Sequence, residues 1–555
     1  MALAPASGQR TDDEMRAIAA AKLGLQNNVK AADGHQTGDR IRCTLSRPAL
    51  NVYSPTDAQG FVIVAKDEHV PAILAYGDGS FPTEQIPADI QWWMESVERN
   101  LSGQTPSMGR VLLSEYKPIN NFITTQWDQG KPYNLKTPKV NGQNTPVGCV
   151  AVALAQCMNY WKYPESANFT ETYYVKDDKA TSMEGTVSSA YTWDYSDTYS
   201  YNSMQGKKIA QLMSDCGIAT GMQYATAGSG TFNFMAGRAL TKYFTYPMEA
   251  VKYTERTFCT DEEWYSIIYD ELMKKAPIIF GGQDAKYGGH AFVLSGIDKD
   301  GLVYVNWGWN GYANGFFAID LMNSPEGSFS EGQDIVYGIR TTALPTDVVQ
   351  PRVCSNDYQP YTFSLKNEID DNGKSRKAIH IRSTSGFWNM TPTKFDGEFG
   401  IFGTDLTTGE AWEITETDPF DWDSGVGYFL DAPEDLFYYY VDDEMMKGHT
   451  YRLSFGTRDK REGTWHSVLA DGGEVAYDVY YTGNPFTTTI SERVTPTAIQ
   501  NVQATHTKAT NLTRVYDLQG RLIHTSPTAQ FTLGEVPARG TLIVKQGEKV
   551  RKVVK

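Results

Sequence analysis

Residues 147–161 read VGCVAVALAQCMNYW, and between Cys149 and Ala155 the cysteine itself is the only side chain that is not purely apolar. Val150, Ala153, Leu154, Cys157, Met158 and Trp161 recur at the 3.6-residue period of a helix, and Ala151, Val152 and Ala155 close the opposite side. A helix that is apolar all round offers no face to water, so a domain must be wrapped around it. Tyr163-Pro164 stops it, because a residue before proline avoids the α region.

Cys149 therefore opens a buried helix, directly after Gly148. There the unpaired N–H groups and the helix dipole favour an anion, and a thiolate is the anion this residue can supply. Gly148 allows a substrate backbone to come close. Cys157 lies two turns further in, outside that field, and reads as packing. The pattern alone leaves two readings of Cys149 open, a nucleophile or one more small buried residue.

A thiolate nucleophile needs a group that takes its proton and returns it to a leaving amine. Between residues 111 and 345 the chain has one histidine, His290, in KYGGHAFVLSG. Gly288 and Gly289 precede it and an apolar strand follows, the pattern of a strand start at a cleft edge. A lone histidine is also often structural.

The 555 residues exceed the ~250–300 at which a single core stops growing, so three or four domains are expected. A net charge of −16 lacks the basic face that a nucleic-acid partner would need. No run reaches the ~18 apolar residues of a membrane-spanning helix. MALAPASGQR has neither a basic nor an apolar signal region, so the chain is either cytosolic or exported after loss of a signal peptide. Six cysteines without a CxxC pair give neither a zinc motif nor a disulfide framework. No metal site and no cofactor are expected. Asp298 to Gly301, DKDG, lacks the further ligands of a calcium loop and reads as a hairpin turn.

Residues 1–110 hold a helix over 12–24, a hairpin over 60–77 and a helix over 87–101, a small α+β unit of its own. SGQTPSMGR, 102–110, reads as a linker open to cleavage. Residues 111–345 combine a helical front with a hairpin over 291–309 and a strand over 315–320, an α+β domain. Residues 350–490 carry short strands spaced by turns, an all-β sandwich in which Tyr438, Tyr439 and Tyr440 read as sheet packing. A Thr-rich linker leads to residues 495–555, a small all-β domain.

Three blocks, GCVAVALAQCMNYWKYP, GGHAFVLSGID and VNWGWNGYANGFFAID, resemble the signature blocks of streptopain-type cysteine peptidases, papain-like enzymes made as zymogens. The strands GFVIVA and PAILAYG and the helix IPADIQWWMESV are similar to that family's propeptide. The resemblance covers roughly residues 12–343. It implies that Cys149 is the nucleophile and His290 the general base and acid. Gln129 in TTQWDQGKPYN would serve with the Cys149 N–H as the oxyanion donor. Asn306 and Trp307 would support the histidine, Trp307 by shielding or orienting it.

SDCGIATGMQYATAGSG, 214–230, resembles the segment bordering the substrate cleft, so Gly148, Gly289, Met222 and Tyr224 are candidate cleft residues. The family's taste for an apolar residue just before the cleaved one carries over. The propeptide would act as an intramolecular inhibitor that holds Cys149 and His290 apart, with Arg110 or Lys117 as possible cut points.

VYDLQGRLI and LGEVPARGTLIVKQGEKVRKVVK resemble the sorting domain of Bacteroidetes type IX secretion cargo. That implies a secretion-machinery partner and a secreted or outer-membrane-surface location. The resulting expectation is a secreted cysteine endopeptidase acting on protein or peptide substrates. A papain-fold amidase or transpeptidase, and a surface adhesin binding through the sandwich, remain as alternatives.

Overall fold

The computed structural model describes residues 8–25, 40–102, 117–176, 180–196, 203–284, 288–319 and 333–350, most of 352–487, and four strands between 513 and 554. The chain is multidomain and mixes α and β elements.

The first helix, Asp12–Lys22, is opened by a capping box: Thr11 accepts from the Glu14 N–H, and the Glu14 carboxylate accepts from the Thr11 N–H at 2.8 Å. Strands Ile41–Ser46, Leu50–Pro55, Phe61–Ala65 and Ile73–Gly77 follow as an antiparallel meander, and then the helix Ala88–Ser102. The elements expected over 12–24, 60–77 and 87–101 are therefore present. Residues 103–116, which include the expected linker and Arg110, lie outside the described residues.

The expected independence of this leading segment needs correction. Ile73–Gly77 pairs with Gly315–Phe317, placing Phe316 opposite Tyr76 and Phe317 opposite Ala75. The sheet then continues through Val303–Asn306, Gly288–Ile297, Ile278–Asp284, Asp334–Tyr337 and Lys252–Glu255, ten strands in all. The reason is visible in Phe61–Ala65, every residue of which is buried. Met15 and Ala19 cover one face of this meander. The other face joins a cluster that contains Trp93 and Val97 together with Phe280, Phe292, Trp307 and Phe317. Trp93 meets Phe317 edge-on at 4.9 Å, and its Nε1 donates to the Ala318 carbonyl at 3.2 Å. The leading segment has half of a core, and the peptidase region supplies the rest.

The helix Cys149–Trp161 is buried from Val150 to Met158 and ends where Lys162 turns left-handed. It packs against the helix Ser203–Ala219 and the strand Gly288–Ile297. The hairpin over 291–309 forms as read, with Val293 opposite Asn306. Asp298 makes its turn, accepting from the Asp300 and Leu302 N–H groups at 2.9 Å each. Tyr76 from the leading segment also donates to Asp298, at 3.0 Å.

Between 352 and 487 the strands build three sheets of five, three and seven strands. All three contribute to one core, with Val353, Ile379 and Phe455 among its members. Leu436–Tyr440, the strand of the tyrosine run, pairs with Ser375–Arg382. This region rests on the helix Phe234–Lys242: Thr241 donates to the Pro392 carbonyl at 2.6 Å, and Lys242 pairs with Asp423 at 2.7 Å. Of the Thr-rich linker, Phe486 and Thr487 pair with Tyr481 and Tyr480, and the rest lies outside the described residues. The C-terminal strands form one four-stranded antiparallel sheet. Among the described residues no helix is long and apolar enough to cross a membrane.

Candidate active site

Gly148 is the N-cap of the buried helix at φ +96°, a conformation that L side chains avoid. A methyl group there would lie 2.6 Å from the Met222 sulfur. This glycine is thus required by the fold itself, beyond any approach of substrate. Cys149 follows, and the Ala291 N–H donates to its sulfur. His290 is the residue before Ala291, so one strand brings both groups to the helix tip.

Gln129 arrives from the other side. The Val147 N–H donates to the Gln129 carbonyl at 3.0 Å, which ties its loop to the residues just before Gly148. Cys149, His290, Gln129, Gly289 and Trp309 line one cavity of about 700 Å³. Cys149, Gly289 and His290 also line the adjoining one, of about 870 Å³.

The electrostatics differ from the simple helix-tip expectation. Burial pushes the Cys149 thiol up, and the negative charge of Asp89 pushes it further; the N–H of Ala291 only partly offsets this. Asp89 belongs to the helix Ala88–Ser102 of the leading segment and is 1% exposed. Burial raises its carboxyl as well, while the charge of His290 pulls it back down. Asp89 accepts from Trp309 Nε1 at 2.8 Å and from the Ile90 N–H at 2.8 Å. One turn on, Trp92 covers Gly282, the residue opposite His290 on the next strand; a methyl on Gly282 would lie 2.7 Å from the Trp92 ring. The leading helix thus puts a carboxylate and an indole into the site.

Residues 127–317 match the peptidase C10 family, and residues 13–101 match the Spi protease inhibitor family. Streptopain of Streptococcus pyogenes serotype M28 is 31% identical over 328 residues, 53% of this chain and 82% of streptopain. The chain belongs to the peptidase C10 family. The thiol protease/hemagglutinin PrtT of Porphyromonas gingivalis is 30% identical over 337 residues, 54% of this chain but only 38% of PrtT's own length. Among solved structures, Prevotella intermedia prointerpain A aligns at 30% identity over 55% of this chain and 99% of its own, with a TM-score of 0.48.

Within this C10 chain, neither expected supporting residue lines the two cavities. Asn306 is fully buried, donating to the Thr125 carbonyl at 2.6 Å and to Gln156 Oε1 at 3.0 Å. It ties its strand to the buried helix. Trp307 packs in the shared core, 4.7 Å from Phe292 and 5.1 Å from Phe317. Strand alternation explains the difference: successive side chains point to opposite faces, and past the strand end the chain turns at Gly308, leaving Trp309 to border the cleft. Met222 and Tyr224 are likewise fully buried in the core around the Cys149 helix. From their segment the cleft takes Gly221, Gln223 and Ala225 through Gly230 instead. Asp89 was not singled out from sequence. The signal available was an acidic residue opening a Trp-rich helix, which also reads as ordinary first-turn capping.

Proposed function

We propose that this peptidase C10 chain is a secreted cysteine endopeptidase in zymogen form. The observation that carries the reading is the convergence of Cys149, His290 and Gln129 on one cleft that Ala88 of the inhibitor-like segment lines, with Asp89 behind it on Trp309. Cys149 Sγ attacks the substrate carbonyl after giving its proton to His290. The oxyanion takes hydrogen bonds from the Cys149 N–H and the Gln129 side chain, a kind of donor worth ~2.7–4 kcal/mol at the transition state. The C–N bond breaks as His290 protonates the leaving amine, giving a thioester that water hydrolyses.

In the zymogen one carboxylate acts on both partners. Asp89 engages the charge of His290 and raises the Cys149 thiol. Cutting between residues 102 and 117 lets the segment leave, which removes that negative charge and returns the imidazole to the sulfur. Both changes lower the thiol pKa. The C-terminal four-stranded sheet is the sorting module that hands the chain to the secretion machinery.

The test is time-resolved electrophoresis with N-terminal sequencing of the wild type and of Cys149→Ala, followed by a casein hydrolysis assay. A cut near residue 110 and casein cleavage are expected in wild type only. Equal casein cleavage by Cys149→Ala after processing would overturn the proposal.

A further inference from the structure

Beyond His290 the cleft opens into the larger cavity, of about 870 Å³. Tyr174, Phe232 and Met235 give it apolar surface, whereas Asn233 and Asp334 line it with polar groups. Strand register fixes where the polar groups sit. Ala291, whose N–H touches the Cys149 sulfur, is opposite Gly281, and Gly281 is opposite Asp334. At ~4.8 Å per strand, Asp334 lies ~10 Å from Ala291 along the sheet. That is the reach of a long side chain carried by the residue preceding the one attacked. A methyl group on Gly281 would collide with both the Asn233 amide and the Asp334 carboxylate, so the glycine is what makes room for this pair.

Asn233 stands at the N-cap of Phe234–Lys242, where an asparagine ordinarily bonds the helix N–H groups, yet it makes no such bond. Its Nδ2 donates instead to Asp334 Oδ1 at 2.7 Å. Its Oδ1 has no partner although the residue is only 4% exposed. The one Tyr253 hydroxyl proton is shared between Asp334 Oδ2 at 2.9 Å and Glu255 Oε1 at 3.2 Å. Burial raises the Asp334 carboxyl to about 6, and no charged neighbour contributes to its state among the described residues. Lys176 lines the same cavity without acting on that carboxyl.

At neutral pH, then, the floor holds a half-buried carboxylate without a cation among the described residues, beside a buried amide oxygen without a donor. Such groups are costly until something pairs with them. The donors that the protein supplies are already used, and acceptors are what remain. The complement is a donor-rich cation, an ammonium or a guanidinium. The apolar walls suit the methylene stem of such a side chain.

We propose that Asp334 and Asn233 form a specificity site that accepts a lysine or arginine side chain of the substrate at the position preceding the cleaved residue. This departs from a purely apolar preference there, and it rests on the peptidase reading given above.

The test uses the processed full chain and two fluorogenic peptides that differ only in lysine or norleucine at that position. Wild type should cleave the lysine peptide with a kcat/KM at least equal to that for norleucine. Asp334→Asn should lower the lysine value tenfold or more and leave norleucine within about threefold, so that the norleucine peptide reports on folding. If Asp334→Asn does not fold, Asn233→Ser should shift the ratio in the same direction. Rejection of the lysine peptide by wild type a hundredfold or more, or an equal loss on both peptides in the variants, overturns the proposal. Binding of the same peptides to the Cys149→Ala chain, processed by added protease, reads the preference without turnover. A lysine preference there with no hydrolysis by wild type would count against the peptidase reading and for the site; no preference in binding would count against the site.

Discussion

Asp89 of the leading helix and Trp309 of the strand-end loop meet through a 2.8 Å hydrogen bond beside His290. The contact joins the inhibitor-like segment to the peptidase at its most sensitive point. The carboxylate is buried, so its partners matter: a hydrogen bond to a charged group contributes roughly 1.5–3 kcal/mol, and losing one partner leaves the other unsatisfied.

Removing that carboxylate should unlock the unprocessed chain. With Asp89→Ala, alkylation of Cys149 by iodoacetamide in the uncut protein should accelerate tenfold or more at neutral pH. Two of the causes that now raise the thiol's resistance to ionisation are burial and the Asp89 charge, and only the second is removed. The pH profile of alkylation should therefore move toward lower pH without reaching that of the processed enzyme. An unchanged rate would show that the carboxylate does not govern the thiol.

The two tryptophans of the NWGW block should separate cleanly. Trp307→Ala removes a fully buried ring from the shared core and should cost about 3–5 kcal/mol of stability, read as a lower urea midpoint. Trp309→Phe keeps an aromatic ring, removes the donor to Asp89, and should speed self-processing severalfold with little change in that midpoint. The opposite assignment would require Trp309→Phe to destabilise the chain and Trp307→Ala to leave it intact.

This distinction marks how far the sequence could be read. The Cys149 helix was legible because an all-apolar run with a glycine before it and Tyr-Pro after it has few other solutions. His290 was legible because its region has no other histidine, and Gln129 because of its family segment. Trp307 and Trp309 could not be told apart from composition, since one turn at Gly308 decides which ring faces the cleft. Met222 and Tyr224 sit in a cleft-bordering segment, yet the cleft takes Gln223, because strand side chains alternate. The independence of residues 1–110 failed for a related reason. FVIVA and AILAYG read as a hairpin, but nothing in them shows that their second face closes on Phe317. The pairing of Asp89 with His290 joins positions 201 residues apart in sequence, which no local pattern encodes.

Asp334 makes a prediction about stability with a definite sign. Burial raises its carboxyl from the ordinary 3.8 to about 6. Between those values the folded chain binds more protons than the unfolded chain, so this residue's contribution to stability falls as pH rises from about 4 to 6 and is flat above. A shift of two units corresponds to about 3 kcal/mol at most, with the hydrogen bonds from Tyr253 and Asn233 already acting in it. Asp334→Asn should match wild type below pH 4 and exceed it by about 1–3 kcal/mol at pH 7. Urea midpoints of the two proteins at pH 4, 5, 6 and 7 check this. A difference that does not vary with pH would remove Asp334 as its source.

The shared sheet implies that the leading segment helps the peptidase region to fold as well as closing it. Gly315–Phe317 pairs with Val303–Asn306 on one side and with Ile73–Gly77 on the other. Without the segment that strand becomes an open edge, and Trp93 no longer covers Phe317, a loss of roughly 1.5–3 kcal/mol for one such side chain. A chain started at residue 117 should therefore refold in lower yield and aggregate more than the full chain, and residues 8–102 added in trans should restore the yield. Mature enzyme made by cutting the folded zymogen should persist, because the remaining sheet is already assembled and its unfolding is slow. Equal refolding yields for the two chains, measured by light scattering and recovered Cys149 alkylation, would show that the joined sheet serves inhibition alone.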